Sequence, residues 1–325
     1  EVQHLIAHAL NRPSNAVTVE VRRMGGGFGG KETQAAQWAA IAALTAVKTG
    51  RPAKCRLDRD DDMIMTGKRH PFAIEYKVGF DDDGRIKGIE FVQLANCGNS
   101  ADLSSAIADR AMFHADNCYY LDAAMITSLR CKTNMVSHTA FRGFGGPQGM
   151  VGIEHVMDGI ARHLGKDPLA IRKLNLYGKN DRNVTPYHMT IEDNILPEMI
   201  GQLEQSSDYW RRRAEATEFN SKNRYVKKGL ALTPVKFGIS FTTTHLNQAG
   251  ALIHIYTDGS VHLNHGGTEM GQGLFTKVAQ VVAEELQIDL DRIKITATST
   301  GKVPNTSATA ASSGSDMNGM AAQAA

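Results

Sequence analysis

A glycine-rich run at residues 24–32 reads Met-Gly-Gly-Gly-Phe-Gly-Gly-Lys-Glu. It contains the pattern Gly-x-Gly-x-x-Gly and lies between residues 17–21, which are typical of a strand, and residues 31–49, which predict an alanine-rich, largely buried helix closed by Gly50. Glycines let the backbone approach a ligand closely, and amide N–H groups at a helix start favour anions such as phosphate. The run therefore predicts a cofactor-binding loop.

A nicotinamide dinucleotide is one candidate for that cofactor, because its phosphate-binding fingerprint has the same glycine spacing. The fingerprint also needs an acidic residue about 20 positions later to bind the ribose. Residues 41–57 contain no carboxylate. A nicotinamide-dependent dehydrogenase is therefore a remote alternative, and the sequence favours a different cofactor.

Three later segments are similar to the first run. Residues 141–149 read Phe-Arg-Gly-Phe-Gly-Gly-Pro-Gln-Gly, and residues 266–273 read Gly-Gly-Thr-Glu-Met-Gly-Gln-Gly. Residues 305–316 are nearly all small or hydroxyl-bearing, which supplies hydroxyl donors and accessible backbone N–H groups. A single run of this kind is more often a tight turn or a helix cap. Four of them together predict one large polar cofactor.

The patterns between these loops predict an α+β fold. Residues 73–80 and 85–92 predict a hairpin around an acidic turn, and residues 150–164 predict an amphipathic helix that ends at Gly165. The second half predicts a hairpin of residues 251–256 and 261–264, followed by a helix over 274–286. We expect two mixed α/β domains, residues 1–180 and 229–325, joined by a linker region at 181–228, with the glycine-rich loops meeting at the cofactor.

The composition is that of a folded globular protein. The 325 residues are 42% hydrophobic and 22% charged, which is enough chain for two cores. Lysine and arginine total 36 against 34 acidic residues, so the formal charge of +2 predicts neither a nucleic-acid partner nor a membrane surface. The sequence has no signal peptide or membrane span, which favours the cytoplasm. Helical patterns at both ends predict an internal fragment of a longer protein.

Patterns for a metal ion bound directly by side chains are weak. Asp58, Asp60 and Asp62 begin like a calcium loop but lack its glycine and its glutamate, so they predict a solvated acidic turn. A two-residue turn at 258–259 would place His254 and His262 on opposite faces of their hairpin, which argues against a shared metal. No Cys-x-x-Cys spacing occurs, so neither a zinc site nor an iron-sulfur cluster is predicted. The cysteines are Cys55, Cys97, Cys118 and Cys131.

The four loop segments, in this order, resemble the molybdopterin-binding subunit of the xanthine dehydrogenase and aldehyde oxidase family of molybdenum hydroxylases. Residues 57–71, 110–118 and 236–250 carry the same resemblance, which spans essentially all 325 residues. It implies molybdopterin with molybdenum as the cofactor, and 2Fe-2S clusters and FAD on other domains or subunits. Carried over residue by residue, the cofactor contacts would be Phe28, Gly29, Arg142, Gly271, Gln272, Ala310 and Ala311. Of these, Phe28, Arg142 and Ala311 match contacts to the molybdenum centre.

The resemblance also implies a substrate pocket. Phe144 and Phe241 match an aromatic pair that sandwiches the substrate, at about 1 kcal/mol for each ring contact beyond area burial, and Thr242 lines the same pocket. Glu32 and Arg110 match the polar residues that face it, where a carboxylate can bond ring nitrogens and a guanidinium can stabilise negative charge on a purine oxygen. Without the resemblance, Glu32 would be interpreted as a carboxylate in the first helical turn and Arg110 as a surface ion pair.

The same two positions separate the relatives, because aldehyde oxidases generally carry apolar residues there. The resemblance therefore implies oxidation of hypoxanthine to xanthine and of xanthine to urate with water-derived oxygen. An aldehyde-oxidising enzyme and a non-catalytic fragment are the alternatives. The partners implied are a purine, an iron-sulfur and FAD-bearing subunit or domain, NAD as acceptor, and a second copy in a dimer.

The catalytic base of the family is a glutamate in a later Gly-Glu-Pro segment, and this sequence contains no such segment. We expect that base beyond Ala325, and Glu269 is not its counterpart. No catalytic residue is therefore assigned within the chain. Alone, the chain is expected not to catalyse.

Overall fold

The computed structural model of the protein describes residues 1–302 and 306–325, so Asn305, with which the fourth predicted loop begins, lies outside the described residues. Helices and strands are mixed along the chain, which confirms the predicted α+β class. Numbered in chain order, the helices are α1 Val2–Ala9, α2 Ala35–Thr49, α3 Arg59–Met65, α4 Ser104–Phe113, α5 Gly146–Leu164, α6 Pro168–Asn175, α7 Leu196–Ser206, α8 Tyr209–Lys222, α9 Leu274–Leu286 and α10 Gly314–Ala324. The strands are β1 Glu20–Val21, β2 Phe72–Phe80, β3 Ile86–Gly98, β4 Ala124–Lys132, β5 Ala251–Ile255, β6 Val261–His265, β7 Ile293–Ile295 and β8 Thr298–Ser299.

A three-stranded sheet of order β2-β3-β4 organises the first half. Strands β2 and β3 pair antiparallel and form the predicted hairpin, whereas β3 and β4 pair parallel. The acidic turn between β2 and β3 is closed by Asp81, whose Oδ1 accepts the N–H groups of Gly84 at 3.1 Å and Arg85 at 2.9 Å. Gly84 has φ +98°, a conformation that favours glycine.

The larger hydrophobic core lies between this sheet and α5. Apolar residues of α5 recur at three- and four-residue spacing, which places Ile153, Met157 and Ile160 on one face. That face is buried against β3, which contributes Phe91. The helix ends at Gly165, whose φ of +64° is the left-handed conformation of a glycine cap. The amphipathic helix and its glycine stop are therefore confirmed.

Residues 181–228, predicted as a linker region, contain two helices in the structure. Ile200 of α7 and Tyr209 of α8 are buried in the larger core, together with Leu232. Each of the two helices therefore packs on the first half of the chain through a single buried residue. The division of the chain into domains stays a prediction.

A second sheet of order β5-β6-β7 carries the smaller core. Helix α9 has the predicted bounds and packs Val278 and Val282 against Val261 and Leu263 of β6. Helix α10 adds Ala322 to this core. The two halves are joined by a short antiparallel pair in which Glu20 of β1 faces Ser299 of β8.

Helix α2 was predicted to be largely buried, and the structure corrects this. Among its residues only Ala36 is buried, while Ile41 is 49% and Val47 64% exposed. Among the described helices and strands, α1 is the principal element packed against it, so one face alone is partly covered. The helix also begins at Ala35, because residues 31–34 form a turn.

Two further expectations were wrong. Residues 59–65 form α3 rather than a solvated turn, because the Asp58 carboxylate accepts the N–H of Asp61 at 2.9 Å and caps the helix. His254 and His262 face each other in register, with ring centroids 6.5 Å apart. The connection covers residues 256–260, so the register differs by one residue from that of a two-residue turn, and a one-residue change moves a side chain to the other face.

In the described part of the chain, no helix combines the length and the apolar character that crossing a membrane requires.

Candidate functional site

The first glycine-rich loop, residues 25–30, has a strained backbone. Phe28 has φ +56°, which is uncommon for a residue with a bulky side chain and costs on the order of 1–3 kcal/mol. Its ring is 65% exposed and lies over Gly26, where a Cβ atom would be 2.7 Å from the ring. Tertiary contacts must therefore hold Phe28 in this exposed conformation.

The contacts that hold it come from the second loop, residues 141–149. The carbonyl oxygen of Phe28 accepts the N–H of Arg142 at 2.9 Å. A Cβ atom at Gly29 would lie 2.5 Å from the carbonyl oxygen of Ala140, so only glycine permits this approach. The Arg142 side chain is exposed, and Arg69 donates to the Arg142 carbonyl oxygen at 2.6 Å. The structure thus brings Phe28, Gly29 and Arg142 together, as predicted contacts of one cofactor require.

The second loop also fixes the start of α5 against α4. Phe144 has φ +49°, and a Cβ atom at Gly145 would lie 2.0 Å from the carbonyl oxygen of Ile107. Because Ile107 and Arg110 share α4, this close approach sets where Phe144 lies relative to Arg110. The two predicted substrate residues are therefore tied through one helix.

The third loop, residues 266–273, meets the first. The N–H of Met24 donates to the carbonyl oxygen of Glu269 at 3.1 Å, and a Cβ atom at Gly27 would lie 2.6 Å from the Met270 sulfur. The Glu269 carboxylate accepts the N–H groups of Gly271, Gly273 and Phe275 at 2.8–3.1 Å. Burial alone would raise the pKa of the Glu269 carboxyl, but these backbone donors outweigh it and lower the pKa. Glu269 acts as the cap of α9.

Gly271 and Gln272 lie at the exposed side of this loop. Gly271 has φ +99°, and a Cβ atom there would meet no heavy atom within 4 Å, so the space above it is open. The Gln272 side chain bridges its own loop, accepting the N–H of Met270 at 2.6 Å and donating to the carbonyl oxygen of Thr268 at 3.1 Å. Both ends of the Gln272 amide are thereby bonded within the third loop.

The fourth loop, described from Thr306, completes the arrangement. Thr309 Oγ1 accepts the N–H of Thr268 at 2.9 Å, which joins the loop to the third. Ala311 and Ser312 both have φ +57°. The carbonyl oxygen of Ala311 accepts the N–H of Ser240 at 2.8 Å, and Ala310 lines a small cleft of about 20 Å³ between this loop and residues 241–248. Four non-glycine residues of these loops, Phe28, Phe144, Ala311 and Ser312, thus have positive φ, a conformation that the surrounding contacts must hold.

Phe241 is half-buried and lines the same cleft. Asn247 clasps its backbone, because Oδ1 accepts the Phe241 N–H and Nδ2 donates to the Phe241 carbonyl oxygen, both at 2.9 Å. Thr242, the next residue, is exposed. The rings of Phe144 and Phe241 make no direct aromatic contact within the described residues, so their pairing around a substrate stays a prediction.

Arg110 is only 4% exposed, so its interpretation as a surface ion pair is wrong. Its guanidinium donates to the carbonyl oxygen of Gly238 at 2.5 Å and also to that of Ser240. Nε has no partner in the described part of the chain, and burial lowers the pKa of the guanidinium. The guanidinium carbon also lies 5.4 Å from the centre of the Phe237 ring. A buried cation with only neutral partners retains charge that an anionic group nearby would balance.

Glu32 lies in the turn before α2 and not in the first turn of the helix, so the alternative interpretation as a helix-dipole carboxylate is wrong. Its Oε2 is buried and has no hydrogen-bond partner within residues 1–302 and 306–325. An unpaired buried oxygen costs on the order of 1–3 kcal/mol, which a hydrogen-bonding ligand would remove.

These features fit a large, polar, anionic cofactor. The loops supply glycine and hydroxyl-bearing residues, open space above Gly271, and the exposed Arg142 guanidinium, which has no hydrogen bond or ion pair to another described residue. Backbone N–H groups and arginine are the donors that proteins use for phosphate groups. The donor set therefore suits a phosphate-bearing ligand.

Sequence reasoning missed three residues next to Arg110. His114, Asn117 and Lys236 hold the segment that leads to Phe241. The signal was the polar residues 114 and 117 shortly after Arg110, but α4 ends at Phe113, so helical periodicity could not have shown that they share a surface.

The comparisons place both halves of the chain in one family. Residues 1–176 and residues 202–325 each match a profile described as "Molybdopterin cofactor-binding domain". A xanthine dehydrogenase/oxidase of Gallus gallus is 51% identical over 321 residues, and a xanthine dehydrogenase of Calliphora vicina is 50% identical over the same length. These alignments cover 99% of this chain and 24% of each relative, so the chain spans about a quarter of their length.

The fold recurs in a solved structure of quinoline 2-oxidoreductase from Pseudomonas putida 86. The TM-score is 0.87 at 23% sequence identity, and the match covers 99% of this chain and 43% of that chain. At this identity the likeness shows a shared fold.

Proposed function

This chain belongs to the molybdopterin cofactor-binding domain family, and from that premise we propose that it forms most of the cofactor and substrate site of a molybdenum hydroxylase that oxidises purines. The observation that carries the proposal is the meeting of the four loops. Direct contacts join the first loop to the second and the third, and the third to the fourth. Loops drawn from residues 25 to 316 are thus joined into one connected set, which supports a single cofactor site.

The cofactor would be held by residues whose backbones are already fixed. Phe28, Gly29, Arg142 and the pair Ala310–Ala311 would lie at its molybdenum end. Gly271 and Gln272 would contact the pterin, where the rigid third loop leaves open space. When bound, the molybdenum cofactor supplies the redox chemistry, and the protein supplies position and electrostatics.

The substrate would lie between the second loop and the residues that follow position 240. Phe144 and Phe241 would hold the faces of a flat ring, with Thr242 at its edge. Glu32 would bond ring nitrogens through its unpaired Oε2. The Arg110 guanidinium would stabilise negative charge that develops on a purine oxygen, because its described partners are neutral carbonyls and a phenyl ring.

We assign no catalytic base to this chain and propose that a glutamate from another part of the full protein accepts the proton. The electrons would pass to 2Fe-2S clusters and FAD on other domains or subunits, with NAD as the final acceptor. We propose a dimeric, cytoplasmic enzyme of purine breakdown, converting hypoxanthine to xanthine and xanthine to urate.

The test uses the full-length protein. Metal analysis is expected to find about one molybdenum per subunit, and steady-state kinetics are expected to show xanthine oxidised with a higher kcat/KM than an aromatic aldehyde. Molybdenum well below one atom per subunit would overturn the cofactor assignment. A higher kcat/KM for the aldehyde would reject the purine and favour the aldehyde-oxidising alternative.

A further inference from the structure

Residues 234–241, here called the strap, run from the larger core to Phe241. In the described structure the strap belongs to no helix or strand, so its backbone polar groups need other partners. Side chains provide them at every second residue: Pro234, Lys236, Gly238 and Ser240. Side chains therefore supply the hydrogen-bond partners of the strap backbone. In a β-strand, the backbone of a neighbouring strand would supply them.

Three of those side chains come from α4 and the turn that follows it. Arg110 donates to the carbonyl oxygens of Gly238 and Ser240. His114 Nε2 accepts the N–H of Gly238 at 3.1 Å. Asn117 donates to the carbonyl oxygen of Pro234 at 3.0 Å and accepts the N–H of Lys236 at 3.1 Å.

The order of these contacts shows two chains running in opposite directions with matched repeats. Positions 110, 114 and 117 meet strap positions of decreasing number, from 240 to 234. Four residues of a helix advance about 6 Å, and two residues of an extended chain advance about 6.6 Å. From Arg110 to His114, one helical turn therefore corresponds to one strap repeat. Asn117 lies in the turn after α4 and bonds the strap at Pro234 and Lys236, so the three side chains together define a register.

His114 can hold its contact only in one protonation state. Nε2 accepts from Gly238, so it carries no proton, and Nδ1 must then be the donor to the carbonyl oxygen of Arg110 at 2.8 Å. The ring is 6% exposed, and burial lowers its pKa to about 4. At neutral pH the imidazole is a fixed acceptor for the strap.

Both ends of the strap are anchored as well. The Lys236 ammonium lies 2.7 Å from the buried Asp116 carboxylate, which also accepts from the Tyr177 hydroxyl at 2.6 Å. At the other end, Ser240 donates to Ala311 in the fourth loop. A slip of the strap by one residue would break all of these contacts and turn each side chain to the opposite side.

We infer that His114 and Asn117 are positioning residues that set the register of the strap and thereby place Phe241 and Thr242 at the substrate. The placement of substrate rests on the proposed function. The register of the strap does not depend on that proposal, because it follows from hydrogen bonds within this chain.

Two variants of one residue test the inference in the full-length protein. His114→Gln can extend an amide oxygen to about the place of Nε2, whereas the shorter His114→Asn reaches only the position of Nδ1. We expect His114→Asn to speed hydrogen exchange in peptides covering residues 234–241 about tenfold, since losing the acceptor of a buried N–H costs on that scale. His114→Gln should stay within about threefold of the wild type. Equal exchange in the two variants, or unchanged exchange in His114→Asn, would overturn the register role.

Kinetics supply the second readout. We expect KM for xanthine to rise about tenfold in His114→Asn and to be rescued in His114→Gln. Asn175→Leu is the structural control, because Asn175, like His114, is a buried polar residue that bonds backbone groups, here at Gly84 and Ile86, away from the site. It should lower thermal stability and leave KM unchanged. A similar KM rise in Asn175→Leu would reject specific placement of the substrate. If the wild-type enzyme does not turn over xanthine, the proposed function and the placement of substrate are both rejected. The hydrogen-exchange rates of residues 234–241 would still test the register.

Discussion

At the scale of single residues, the site contains buried polar side chains that lack an ion pair or a hydrogen-bond partner within the described chain. Arg110 is the clearest case, since it is a buried cation with carbonyl partners and no ion pair in the described part of the chain. Glu32 is its counterpart, with a buried oxygen that lacks a partner among the same residues. Both are suited to a ligand that completes their hydrogen bonds.

Replacing Arg110 tests that interpretation. Arg110→Met removes the cation and is expected to lower kcat/KM for xanthine about 100-fold, because a charge-assisted hydrogen bond in the transition state is worth about 3 kcal/mol. Arg130→Met is the control, since Arg130 forms a partly exposed ion pair with Asp109 whose contribution is small. Steady-state kinetics of both full-length variants decide the matter. A loss below threefold in Arg110→Met would contradict the proposed role.

At the scale of elements, helix α5 connects the core to the site. Its first turn follows Phe144 directly, and its apolar face is buried against the first sheet. Glycines on this helix differ in what surrounds them. A Cβ atom at Gly149 would lie 2.1 Å from the carbonyl oxygen of Ala111 in α4, whereas one at Gly159 would meet nothing closer than 3.6 Å.

The two glycines should therefore respond oppositely to the same substitution. Gly149→Ala forces α5 away from α4 and is expected to lower the free energy of unfolding by about 1–3 kcal/mol. Gly159→Ala is expected to stabilise by about 0.5–1 kcal/mol, because alanine loses less conformational entropy in a helix. Thermal denaturation should give Gly159→Ala a higher Tm than the wild type and Gly149→Ala a lower one. A Gly149→Ala protein with unchanged Tm would show that the helices can separate freely.

At the scale of the whole molecule, buried histidines link stability to pH. Burial lowers the pKa of His138, and it lowers that of three others further. Burial lowers the pKa of His70, His114 and His265 to about 4, against an ordinary value of 6.5. Between these values the unfolded chain binds protons that the folded chain does not, so folded stability is full above pH 6.5 and falls as the pH drops toward 4.

The expected slope approaches about 4 kcal/mol per pH unit for the three histidines together, at about 1.4 kcal/mol each. It should be measured as the change in unfolding free energy or Tm between pH 6.5 and 5, above the range in which most carboxyls titrate. A stability that stays flat over this interval would contradict the buried neutral state of these rings.

Cofactor removal is a second test at this scale. A ligand that binds only the folded state stabilises the segments that contact it. Hydrogen exchange of the cofactor-free full-length protein is expected to rise in residues 25–30, 141–149 and 266–273, and to stay unchanged in the β2–β3 hairpin. Equal changes in the hairpin would indicate general loosening and not loss of a ligand at the loops.

Much of the fold was predictable from sequence because its signals are local. The β2–β3 hairpin, α5 with its cap at Gly165, and α9 each follow a short hydrophobic period closed by turn residues. The expectations that failed depended on tertiary packing or on the exact length of a turn. Burial of α2 depends on what packs against it, and the face shared by His254 and His262 depends on one residue in a turn.

The sequence by itself therefore determined the β2–β3 hairpin, helices α5 and α9, the positions of the four loops and, through resemblance, the family. Tertiary structure alone decided how distant segments combine. The pairing of β1 with β8, the bond from Met24 to Glu269, and the clasp of the strap by His114 join residues more than 100 positions apart. No periodicity encodes such contacts, because they arise only when buried faces pack and backbone groups must find partners.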